Sequence, residues 1–204
     1  MTDTNENNLT DQYLINKVLH GNRNAFAEII KATERLVAQI IFKMIQNAED
    51  RKDIAQDVYL KVFNKLAGFK YQSKLSTWIA QVAYNTCLDY LAKRKLVLPG
   101  ELHQTTGAEE DALEYAGREA LFTANNDMEK KVTRKELAEI LQSEIEQLPA
   151  VYKTLISLYH NEELSYEEIG HITSLPAGTV KSYLFRARKA LKKSLLLNYK
   201  KEEL

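Results

Sequence analysis

Apolar residues return every three or four positions along almost the whole chain, and little interrupts them. Only 7 Gly and 3 Pro are spread over 204 residues. No segment shows the strict alternation of a half-buried strand. A period near 3.6 sustained over most of a chain admits amphipathic helices and excludes a sheet-based core. The expected class is therefore all-α.

Stripe positions and stop signals divide the chain. A first helix is expected over about Asp11–His20, with Thr10 as N-cap and Gly21 beyond its end. A second, after Asn24, carries Phe26, Ile30, Val37, Ile40 and Met44 and frays near Asn47. A third, about Asp50–Ala67, repeats Ile54, Val58, Val62 and Leu66, and Gly68 ends it. After the loop GFKYQSKLS a fourth opens near Ser76 or Thr77 and runs to about Lys95. Its expected buried side is Ile79, Val82, Ala83, Thr86, Tyr90 and Leu91. Four such helices over residues 10–97 suffice for one small bundle.

Periodicity fades over residues 98–132, which read as a linker with one short helix at about Asp111–Leu121. It resumes at Thr133, where Thr133 and Glu136 fit a capping box. Leu137, Ile140, Leu141, Ile145 and Leu148 form the next stripe. Pro149 suits the first turn of the following helix, whose inward side is Val151, Leu155, Leu158 and Tyr159. Ser165 and Glu168 make a second capping box. The expected architecture is two small helical domains, a four-helix N-terminal one (10–97) and a C-terminal one (133–197), joined by an acidic linker (98–132).

A zero net charge conceals an uneven distribution. Residues 1–97 hold 14 Lys/Arg against 10 Asp/Glu, residues 98–147 hold 5 against 12, and residues 148–204 hold 9 against 6. Two basic segments flanking an acidic one suit phosphate binding at both ends and repulsion from it in the middle.

The segment SYEEIGHITSLPAGTVKSYLFRARKAL has the form of a helix-turn-helix. Ile169 and Ile172 face inward on a capped short helix. On the last helix Val180, Leu184, Ala187 and Leu191 recur at steps of four, three and four. Opposite them lie Lys181, Ser182, Phe185, Arg186, Arg188, Lys189 and Lys192, cations and a hydroxyl placed for a major groove. The start PAGT offers helix N–H groups to a phosphate, and Ala177 and Gly178 permit close backbone approach. This constellation points to DNA binding. It does not separate a repressor from an initiation factor.

In the N-terminal half, Asp53, Gln56 and Asp57 fall at i, i+3 and i+4 on one helical face, opposite Ile54 and Val58. They present acceptors to a basic partner. Phe69 and Tyr71 alternate with Lys70 and Lys74, a combination suited to single-stranded DNA, because bases stack on rings while ammonium groups hold phosphates. Phe69 and Trp78 also have the character of core aromatics.

Both halves resemble extracytoplasmic-function sigma factors. LPAVYKTLISLYHNEELSYEEIGHITSLPAGTVKSYLFRARKAL is similar to region four of that family, with the run PAGTVKS and then RAR. Tyr183 stands where the family usually has arginine and cannot pair bidentately with guanine. DIAQDVYLKVFNKLAGFKYQSKLSTWIAQVAYNTCLDYLAKRK is similar to region two, with Leu75 replacing an aromatic in the KFSTW-like segment Lys74–Trp78. The resemblance implies that Asp53, Gln56 and Asp57 dock on the β′ clamp of core RNA polymerase, which is also engaged through its β subunit. It implies that Phe69, Tyr71, Lys74, Thr77, Trp78, Asn85, Asp89 and Arg94 read and open the minus-ten element. It further implies that Thr179, Lys181, Ser182, Tyr183, Phe185, Arg186 and Lys189 bind the minus-thirty-five element as duplex. The acidic linker would thread a positive polymerase channel, and an anti-sigma factor would hold the chain inactive.

Other functions find less support. A helix-turn-helix regulator acting without polymerase would leave the Asp53–Arg94 signatures unexplained. His20, His103, His160 and His171 lack metal-ligand spacing, and no P-loop, GxSxG or HExxH occurs, so no enzyme, metal or cofactor is expected. Cys87 has no disulfide or CxxC partner. No apolar run approaches a membrane span, and the polar start MTDTNENNLTDQ lacks a signal peptide's basic and apolar parts. The expected location is the cytoplasm.

Overall fold

A computed structural model describes residues 3–97 and 134–198. The described residues form eight α-helices and one short 3-10 turn, with no strand among them. The expected linker over 98–132, its short helix and Thr133 of the first capping box lie outside the described residues.

The first helix, α1 (Asp3–Leu19), starts well before Thr10, so Thr10 is not its cap. Its end follows expectation. Gly21 takes φ +88°, Gly21 N–H donates to Val18 O at 2.9 Å and Asn22 N–H donates to Lys17 O at 3.0 Å. That pair of bonds is a Schellman motif, and the positive φ is why glycine sits there. Asn22, not Asn24, caps α2 (Arg23–Met44), accepting from Asn24 N and Ala25 N. Asn47 caps α3 (Ala48–Lys65), which ends in the 3-10 turn Leu66–Gly68. The fourth helix, α4 (Leu75–Val97), begins one residue before the expected start.

The buried face of α3 is as expected, with Ile54, Val58 and Val62 inside and Leu66 following. That of α2 is rotated. Ala25, Ile29 and Thr33 are buried where Phe26 and Ile30 were expected, and Val37, Ile40 and Met44 complete the stripe. A buried threonine is tolerated because Thr33 Oγ1 donates to Ile29 O at 2.8 Å and lies 3.1 Å from Tyr59 Oη. Phe26 leans out and meets Phe63 edge-on at 5.2 Å. On α4, Ile79, Ala80, Ala83, Tyr84, Thr86 and Cys87 are buried, while Val82, Tyr90 and Leu91 are half-buried.

The C-terminal half comprises α5 (Arg134–Gln147), α6 (Ala150–His160), α7 (Tyr166–Thr173) and α8 (Ala177–Asn198). Pro149 is the N-cap of α6 rather than a residue of its first turn. Helices α6, α7 and α8 pack mutually around Leu155, Leu158, Ile169, Ile172, Val180 and Leu184, and α5 lies on α8. Along the α5 stripe only Leu148 is fully buried, with Leu137 and Leu141 exposed.

The two halves touch. Helix α2 packs on α6 and α4 packs on α7, so the buried side chains run without a break from one half into the other.

Candidate nucleic-acid interface

The helix-turn-helix is built as its sequence dictates. Ser165 Oγ accepts from Glu168 N at 3.1 Å and Ser165 N donates to Glu168 Oε2 at 3.0 Å, so both halves of the capping box form. Helix α7 ends at Ser174, in the left-handed region at φ 57°, and Leu175 N donates to Gly170 O at 3.1 Å. The turn folds back so closely that a Cβ on Gly170 would lie 2.7 Å from Leu175 O. Sequence reasoning did not single out Gly170. The available signal was a glycine inside a short helix, one turn ahead of a helix-turn-helix corner.

Val180, Leu184 and Ala187 are fully buried and Leu191 half-buried, which turns the opposite face of α8 outward. Lys181, Ser182, Arg188, Lys189 and Lys192 are exposed there, and Thr179, Phe185 and Arg186 are half-buried. Ser182 Oγ donates to Gly178 O at 3.0 Å, leaving its oxygen free to accept. A Cβ on Gly178 would meet nothing within 4 Å, so the helix start is open to close approach. Tyr183 departs from the expected layout. Its half-buried ring meets Tyr152 edge-on at 6.1 Å, with the Arg186 guanidinium 6.0 Å above it. It packs against α6 rather than standing out toward a groove.

In the N-terminal half, Asp53, Gln56 and Asp57 are all exposed on one side of α3. The same side continues into Leu60 and Phe63, 60% and 51% exposed. Sequence reasoning missed this apolar extension, although the i+3 and i+4 steps from Gln56 and Asp57 lead to it. Acceptors beside exposed apolar side chains are the combination that a docking face requires.

The loop aromatics form one cluster. The Phe69 ring lies 4.8 Å from Tyr71 and 5.2 Å from Trp78. Phe69 is buried; Tyr71, at φ 57°, and Trp78 are half-buried, so Phe69 is the base on which the other two rings stand. Thr77 corrects its expected role. It is 4% exposed and sits inside the first turn of α4, neither capping the helix nor reaching the surface. Trp78, Gln81, Asn85 and Asp89 follow at steps of three and four along α4. Asn85 and Asp89 are exposed, and Asp89 pairs with Lys61 at 3.5 Å. Arg94 Nη1 donates to Tyr90 Oη at 3.1 Å and lies 3.8 Å from Asp50 Oδ2. The Tyr90 hydroxyl donates to Asp50, which pushes its pKa above the ordinary tyrosine value.

Burial pushes the Cys87 thiol up to about 12, so it stays protonated and inert. Among the described residues no group of three or more His, Cys, Asp or Glu could hold a metal, and no helix is long and apolar enough to cross a membrane.

Comparison with known proteins agrees with this geometry. Residues 29–97 match the Sigma-70 region 2 family and residues 138–191 match the Sigma-70, region 4 family. The RNA polymerase sigma-H factor of Pseudomonas aeruginosa is 31% identical over 91% of this chain and 93% of its own length. The ECF RNA polymerase sigma factor SigW of Bacillus subtilis is 32% identical over 89% and 94%, and the ECF RNA polymerase sigma-E factor of Escherichia coli K12 is 32% identical over 90% and 93%. The fold is shared with CnrH solved with the cytosolic domain of CnrY (TM-score 0.60, 19% identity, 93% of this chain and 99% of that one). It is also shared with the sigma factor RpoE of Bartonella quintana solved with the anti-sigma factor NepR (TM-score 0.58, 18% identity, 85% and 98%). With two region-specific matches in order and full-length relatives above 30% identity, the chain belongs to the extracytoplasmic-function sigma factors of the sigma-70 family and serves transcription initiation by RNA polymerase.

Proposed function

We propose a division of labour among the side chains of this sigma factor. Asp53, Gln56 and Asp57, with Leu60 and Phe63 beside them, dock the chain on the β′ clamp of core polymerase. Tyr71, Trp78 and Asn85 capture bases of the opening minus-ten element, with Lys74 and Arg94 on the phosphates. The base of this platform is supplied by Phe69 and Thr77 from within. Lys181, Ser182, Arg186 and Lys189 bind the minus-thirty-five duplex. The acidic stretch 98–132 spans the two grips inside the polymerase. The chain performs no chemistry of its own and acts where polymerase and promoter are, in the cytoplasm. An anti-sigma factor is the expected inhibitor, since similar folds have been solved with such partners.

The observation that carries this reading is the exposed α3 face, in which three acceptors adjoin two large, more than half-exposed apolar side chains. A regulator binding DNA alone has no use for it. The test is co-purification with bacterial core polymerase. Wild-type chain should be retained, and the D53A/D57A variant should be lost from the complex while keeping its helical circular dichroism. Equal retention of the two would overturn the assignment of this face.

A further inference from the structure

We propose that Asp50 and Tyr90 are positioning residues for Arg94 and hold its guanidinium ready for a promoter phosphate at the minus-ten element. The proposal deepens the reading above that Arg94 holds such a phosphate, and rests on it.

Three side chains from two helices form one relay. Asp50 stands in the first turn of α3, while Tyr90 and Arg94, four residues apart, share a face near the end of α4. The Tyr90 hydroxyl donates to Asp50, Arg94 Nη1 donates to Tyr90 Oη at 3.1 Å, and Arg94 Nη1 lies 3.8 Å from Asp50 Oδ2. The order of donors has one solution. A guanidinium only donates and a carboxylate only accepts, so the hydroxyl between them does both. Donation to Asp50 pushes the Tyr90 pKa up, so the relay keeps its proton at neutral pH. Arg51, next to Asp50 in sequence, is committed elsewhere. Its Nε donates to Ile45 O at 2.7 Å and its guanidinium lies 4.4 Å over the Phe42 ring. Arg94 reaches Asp50 from the other helix instead.

The relay adds little to stability. The Arg94 side chain is 57% exposed and that of Asp50 30%, and an ion pair so open to water is weak and screened by salt. Orientation is the larger effect. A free arginine near the end of a helix spreads over many rotamers and gives up that freedom when it grips a phosphate. Anchoring one N–H on Tyr90 meets part of that loss before DNA arrives. The remaining N–H groups still offer a planar fork to phosphate oxygens. Tyr90 is half-buried and Arg94 exposed, so the base of the relay lies in the protein and its tip in solvent. Asp50 touches Arg94 more loosely than Tyr90 does, so the guanidinium is steadied without being sequestered.

The experiment uses the full chain assembled with core polymerase. The probe is a fork-junction fragment of a promoter selected from a library by the wild type, duplex upstream and single-stranded across the minus-ten element. Affinity is measured over a range of salt concentrations, and again with single methylphosphonates stepped along the fragment. R94A should bind several-fold weaker, with the slope of log affinity against log salt shallower by about one. It should also lose the response to one methylphosphonate that weakens wild type. Y90F keeps the ring and removes the hydroxyl. It and D50A should move the same readings in the same direction, by less. In the R94A background neither should weaken binding further. A side chain that merely braced α4 against α3 would act alike at every phosphate and add to R94A. Y90F alone decides the matter if D50A fails to fold or to bind core. Wild-type affinity in Y90F, tighter binding in D50A, or losses that add to that of R94A would overturn the positioning role while leaving Arg94 on its phosphate. Wild-type affinity in R94A would overturn both the proposal and the reading beneath it.

Discussion

Single residues carry the sharpest consequences. Gly170 is fixed by the 2.7 Å approach of Leu175 O to the site of its missing Cβ. The opposing atom is backbone and cannot rotate away. G170A should cost about 1–3 kcal/mol by overpacking, read as a lower denaturation midpoint at unchanged m-value. Arg186 is half-buried on α8 with its guanidinium over the Tyr183 ring, and the proposed function puts it on the upstream duplex. R186A should weaken binding to a minus-thirty-five duplex by about 1–3 kcal/mol in a filter-binding titration at fixed salt. Cys87 gives a pH prediction of definite sign. Its folded pKa of about 12 lies above the ordinary thiol value, so folding favours the protonated form. The resulting stability is complete below the unfolded pKa and is lost as pH climbs toward 12. At pH 8 the thiol should resist alkylation in native buffer and react at once in denaturant.

At the scale of elements, caps decide where helices begin and packing decides which face goes in. The Ser165–Glu168 box was legible because its two side chains and two amides lie within four residues. S165A should lower stability by about 1 kcal/mol, measured by urea unfolding. The α3 face was legible for the same reason, since Ile54, Val58 and Val62 repeat at one spacing. The α2 face was misread by one position in its first half only, since Val37, Ile40 and Met44 are buried as expected. Periodicity weighs large apolar residues, so Phe26 and Ile30 outscored Ala25 and Thr33. The close packing of α2 favours small residues instead, with Thr33 satisfied by its own helix and by Tyr59. The turned-in ring of Tyr183 and the buried side chain of Thr77 were illegible too. Neither follows from local spacing: Tyr183 meets Tyr152 of α6, and Thr77 is buried by the packing of the start of its own helix, α4.

Across the whole molecule, the sequence announced two helical bodies of like sign but not how they meet. Lys74 and Glu168 are far apart in the chain, and no local pattern links them. The site residues divide accordingly. Those whose role needs only exposure on a helix, such as Asp53, Gln56, Asp57, Asn85 and Lys189, stand where the spacing put them. Of the others, Lys74 is engaged by Glu168 from the opposite half, and Tyr183 packs against Tyr152 of its own half.

The central claim is that one chain grips a promoter in two physical states, duplex upstream and separated strands downstream, while attached to polymerase. The direct measurement is fluorescence of 2-aminopurine placed in the minus-ten element of a promoter selected from a library by the chain with core polymerase. The account predicts a rise in signal only when chain and core are both present, and its loss on Trp78→Ala or Asn85→Ala despite intact core binding. A rise with the chain alone, or none with the pair on any selected promoter, would contradict it.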